Sequence, residues 1–146
     1  MKPVEDIIRE CAHGHSDAHE FLLAFYAFVH AVDDVFDHDT LVSDEGFAMV
    51  CMHFVTAVGG NPFYQQHRQA LEALTLASVS AWIDANAMEK VGNPQGLVLK
   101  SLYHEVFWHV AYIVGGWPHM REMSTAYRQF KTKEQDGIMR ISTSAT

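Results

Sequence analysis

The chain has 146 residues and a mass of 16.5 kDa, room for one domain rather than two. Ten Lys and Arg against eighteen Asp and Glu leave a formal charge of −8. That balance excludes a non-specific nucleic-acid binder, which needs many cations to displace phosphate counterions, while 49% apolar residues exclude a disordered chain.

Helical periodicity dominates from the start, and the spacing predicts helices near 3–12, 17–38, 44–58, 62–90, 95–114 and 118–130. Ser43 is placed to cap the third, with Asp44 and Glu45 favourable in its first turn. Three breaks separate the later helices: Val58-Gly59-Gly60-Asn61-Pro62, Val91-Gly92-Asn93-Pro94 and Val114-Gly115-Gly116-Trp117-Pro118. In each, glycine closes one helix and proline suits the first turn of the next, while Asn caps the new helix in the first two. No segment alternates like a strand. The expected fold is all-α: a single-domain helical bundle over 1–130, four long helices plus shorter terminal ones, followed by a polar, flexible tail over 131–146.

Cys11 and Cys51 form no C-x-x-C pattern and read as free thiols of a reducing compartment. The first residues lack the apolar run of a signal peptide. The most apolar stretch, Phe21 to Val32, is too short to span a bilayer and runs into carboxylates. A cytoplasmic protein without membrane contact is expected.

The second helix carries the densest chemistry. At about 100° per residue, Phe21, Phe25, Phe28, Val29, Val32, Val35 and Phe36 share one face. His19, Tyr26, His30, Asp33, Asp34 and Asp37 share the other. Carboxylates one turn apart repel each other and oppose the helix dipole. A hard divalent cation, Mg²⁺ or Mn²⁺, would relieve that crowding through Asp33, Asp34 and Asp37, with His30 nearby as a nitrogen ligand or general base. The alternative is a solvated acidic face.

The string Asp33-Asp34-Val35-Phe36-Asp37 resembles the DDxxD motif of class I isoprenoid synthases. That resemblance implies an all-α enzyme gripping a diphosphate through Mg²⁺. Asn86 with Glu89 is the nearest counterpart to the second metal motif of those enzymes. The C-terminal half also resembles uncharacterised phage-encoded helical proteins, a likeness that implies no activity.

On the fifth helix, Ser101, His104, Glu105, Trp108, His109 and Tyr112 project to one side, so His104 and Glu105 are candidate acid–base groups. A Glu–His pair satisfying itself beside aromatic packing is the alternative. On the fourth, Leu76, Val79 and Ile83 form the expected core strip, beside a mixed stripe of Leu71, Thr75, Ser78, Trp82, Asn86 and Glu89. On the last, Arg121, Ser124 and Arg128 share a face suited to phosphate oxygens, or equally to a surface ion-pair network.

These residues support two functions. One is a divalent-metal-dependent enzyme acting on a phosphate- or diphosphate-containing small molecule by hydrolysis or diphosphate departure. The other is a non-enzymatic acidic helical interaction protein, viral or regulatory, binding a basic protein partner. A homodimer is the expected assembly, because C2 pairing is the commonest and a small bundle can complete its site that way.

Overall fold

The computed structural model describes the backbone over 3–37 and 43–144, and side chains over 3–36 and 43–128. The polar tail expected over 131–146 falls where no side chain is described, and residues 145–146 lie outside the described residues altogether. Helices follow in the order α1 (Val4–Ala12), α2 (Ser16–Asp37), α3 (Asp44–Gly59), α4 (Pro62–Gln66), α5 (Arg68–Lys90), α6 (Gln95–Lys100), a 3-10 turn (Ser101–Tyr103) and α7 (His104–Ser144). The protein is all-α, with several long helices packed together and no strand among the described residues. Among those residues, no helix is long and apolar enough to cross a membrane.

Local chemistry sets the boundaries. Ser43 Oγ accepts from the Gly46 N–H at 3.0 Å and caps α3. Asn61 does the same for α4, its Oδ1 accepting from the Tyr64 N–H at 2.9 Å, with Pro62 in the first turn. Asn61 is buried, and its Nδ2 donates to the Asp17 carbonyl at 2.8 Å, so one side chain starts α4 and ties it to the first turn of α2. α1 ends at His13 in the left-handed conformation (φ 51°), a conformation histidine tolerates better than most residues.

The helix expected over 62–90 is broken at His67. In an unbroken helix Phe63 and Leu71 would lie about 80° apart around the axis. Both are buried, and His67 between them leaves helical geometry at φ −114° and ψ 19°. The segment expected as one helix over 95–114 is likewise divided by the 3-10 turn.

The third glycine break is a reversal. Gly116 has φ 80° and ψ −179° inside α7. A straight helix would hold residues 104 and 127 about 34 Å apart along its axis. Instead the Tyr127 hydroxyl and His104 Nε2 are hydrogen-bonded at 2.9 Å, and Arg128 reaches Glu105. α7 is therefore a helical hairpin whose two arms meet side by side.

Ile8, Phe21, Leu22, Phe25, Leu71, Val106, Phe107, Trp108 and Val110 fill the core, joining α1, α2, α5 and the first arm of α7. Each such side chain contributes about 1.5–3 kcal/mol of burial. The α5 strip expected in the core is turned outward: Leu76 is 73% exposed, Val79 46% and Ile83 56%. The inner stripe is Leu71, Ser78, Trp82 and Ala85. Ser78 satisfies its hydroxyl on the Leu74 carbonyl at 2.7 Å, so a polar residue enters the core without penalty.

Candidate functional site

The carboxyl end of α2 is built around Asp33. Trp82 of α5 donates its indole N–H to Asp33 Oδ1 at 3.2 Å. Lys100, the last residue of α6, places its ammonium 3.2 Å from the same oxygen and 3.5 Å from Glu89 of α5. Asp33 is thus a tie between three helices, half-buried and charge-compensated. Asp34 is half-buried, and the Asp37 side chain lies outside the described residues. Among the described residues, no three His, Cys, Asp or Glu side chains meet in an arrangement that could hold a metal ion. One carboxylate oxygen of the expected Mg²⁺ or Mn²⁺ set, Asp33 Oδ1, is thus engaged by an ammonium and an indole N–H.

The remaining candidates lie elsewhere. His30 is exposed, its ring edge-on to Tyr26 with centroids 4.8 Å apart. His104, read from the sequence as part of a polar face with Glu105 and Trp108, is buried among Tyr103, Trp108 and Tyr127. The hairpin folds the second arm of α7 over that side. Glu105 pairs with Arg128 across the two arms. Arg121 donates to Ser124 Oγ at 3.3 Å and Thr125 Oγ1 at 3.4 Å, and lies 5.9 Å from the Trp117 ring centroid. Ser124 is buried. The guanidiniums and hydroxyls expected to receive a phosphate are bonded to one another and to Glu105.

Sequence reasoning did not single out a histidine cleft of about 530 Å³, walled by His13, His15 and His67 with Phe63, Ile113 and Val114. His15 Nδ1 accepts from the Ala18 N–H at 3.3 Å and so caps α2. His13 and His119 stack with centroids 4.4 Å apart, and His119 Nε2 lies 3.4 Å from the Cys11 carbonyl. These residues come from three separate segments, around 11–18, 63–67 and 113–119, so no local spacing announces them. Cys11, beside them, is buried and its thiol is pushed up to about 12 by desolvation and by Glu10, which makes it unreactive.

His109 on α7 titrates below its ordinary 6.5 because burial and the neighbouring His67 both disfavour its charge. The folded state therefore binds this proton less readily than the unfolded chain does. Stability attached to neutral His109 is complete above pH 6.5 and is lost as pH falls through the lowered folded value. Thermal melts are expected to show a lower Tm as pH drops below 6.5, and His109→Gln should flatten that decline. An equal decline in the variant would assign the effect to other groups.

An apolar trough of about 150 Å³ runs between α2 and α5, walled by Phe28, Val32 and Phe36 on one side and Val79, Trp82 and Ile83 on the other. Phe36 meets Trp82 edge-on, ring centroids 4.6 Å apart. α3 adds a separate exposed group: Met49, Met52 and Val55 are 66%, 59% and 63% exposed.

No protein-family model matches this chain, and no curated protein or solved structure matches it either.

Proposed function

We propose that the protein is a non-catalytic helical interaction protein that docks a basic, amphipathic helical segment of another protein on the outer face of α3. The observation that carries this reading is the exposed pair Met49 and Met52, on the same face as Glu45. Residues 45, 49, 52 and 56 recur at the 4-3-4 spacing of one helix side. Methionines suit such a surface because their flexible thioethers adapt to many side-chain shapes. The exposed carboxylates of Asp44 and Glu45 begin the same helix, and the net charge of −8 steers a cationic partner toward the chain. A helix laid in this way buries its apolar anchors on the methionines and its lysines near the carboxylates.

The metal-dependent phosphate chemistry draws less support. It needs Asp33 free for a cation and Arg128 free for an anion, whereas Lys100 and Glu105 respectively engage them.

Fluorescence anisotropy with a labelled Leu/Lys amphipathic peptide tests the docking reading. Saturable binding is expected, weakened by salt, indifferent to EDTA, and roughly 10–100-fold weaker for the Met49→Ser/Met52→Ser double variant. A Leu/Glu peptide of the same length should not bind. Equal affinity for both peptides, or binding abolished by EDTA, would overturn it.

A further inference from the structure

From Ala73 to Ile83, three full turns of α5 carry no ionisable side chain; Glu72 and Asp84 bracket the run. A surface helix ordinarily places charges opposite its buried stripe, and one that is uncharged all round is ordinarily covered all round. Here the inner stripe, Leu71, Ser78, Trp82 and Ala85, meets the core. The outer stripe of Leu76, Val79 and Ile83 is 73%, 46% and 56% exposed. Phe36, 58% exposed, extends the same apolar surface onto α2.

We infer that a second copy of this chain covers this face, with α5 packed antiparallel against α5 about a twofold axis between Val79 and Ser80. Four features favour a second copy over another occupant. Two chains of charge −8 repel wherever their carboxylates meet, and the uncharged run is a face on which they approach without that penalty. The stripe is self-complementary under a twofold axis, since Leu76 of one copy falls opposite Ile83 of the other. The exposed small residues Ala73, Ala77 and Ser80 flank the ridge and let the two backbones approach closely. The same register sets Lys90 of each copy about one turn from Glu72 of the other, so the ends of the seam attract. At 1.5 Å per residue the uncharged run is about 16 Å long, and Phe36 widens the apolar face beside it. This inference is independent of the docking reading, which uses α3.

Sedimentation equilibrium on the full chain is the test. The wild type is expected at twice the 16.5 kDa chain mass. Ile83→Asp, which sets an unpaired carboxylate opposite Leu76, should weaken self-association more than ~100-fold. Its helical circular dichroism should be unchanged, because position 83 is exposed in the single chain. Met52→Asp on α3 should leave the dimer intact. As a second measurement, Ser80→Cys in a Cys51→Ser background should form an intermolecular disulfide on mild oxidation. A wild-type chain that sediments as a monomer throughout the accessible concentration range would overturn the inference. So would a dimer that survives Ile83→Asp.

Discussion

Trp108→Ala is expected to destabilise the protein by about 3–5 kcal/mol, the usual cost of emptying a large aromatic site. Trp108 is 1% exposed and stands where the two arms of α7 close on each other, its ring centroid 5.3 Å from Tyr127 and 6.4 Å from His104. Truncation therefore opens a void between the arms and loosens the His104–Tyr127 hydrogen bond that spans them. Trp108→Phe supplies the internal comparison. Among the described residues the buried indole N–H of Trp108 meets no hydrogen-bond acceptor, and an unsatisfied buried donor costs about 1–3 kcal/mol. Phenylalanine removes that donor while keeping much of the volume, so its loss should be well under half that of alanine. Urea midpoints at constant m-value measure both. A Trp108→Ala cost below about 1 kcal/mol would mean that the arms do not depend on this contact.

Gly116→Ala is expected to cost about 1–3 kcal/mol through backbone strain. At φ 80° and ψ −179° the residue occupies a region that is essentially restricted to glycine. Space is not the obstacle, since a Cβ there would meet nothing closer than the Pro118 Cδ at 3.9 Å. The chain can relieve the strain by changing the angle between the arms, which would pull Tyr127 from His104. Gly116→Ala and Tyr127→Phe should therefore be non-additive, the double variant losing less than the sum of the two. Strict additivity in urea denaturation would show that the strain stays local to the turn.

The helix boundaries were largely legible in the sequence because they depend on local chemistry. Ser43 and Asn61 cap the helices they precede, and Gly116 with Pro118 marks the reversal of α7 even though helical hydrogen bonding continues on both sides. Orientation was less legible. Both stripes of α5 are apolar, so periodicity alone favoured Leu76, Val79 and Ile83, and only contact with Asp33 and the core selects Trp82 as the inward residue. His104 and Ser124 look like polar-face residues until the hairpin brings the second arm back over the first. The Asp33 cluster was legible as crowded charge, but its partner Lys100 lies on a different helix and left no trace in local spacing. The histidine cleft left no trace for the same reason: it gathers residues from near 13, 65 and 115, far apart along the chain.

The pairing of α1 with α7 also sets a timetable for synthesis. Ile7, Ile8 and Cys11 of α1 are buried by contacts that include α7, and the His119–Cys11 hydrogen bond closes a separation of 108 residues. At about 5–20 residues per second, a growing chain holds the side of its first helix that α7 covers open for roughly 5–20 s.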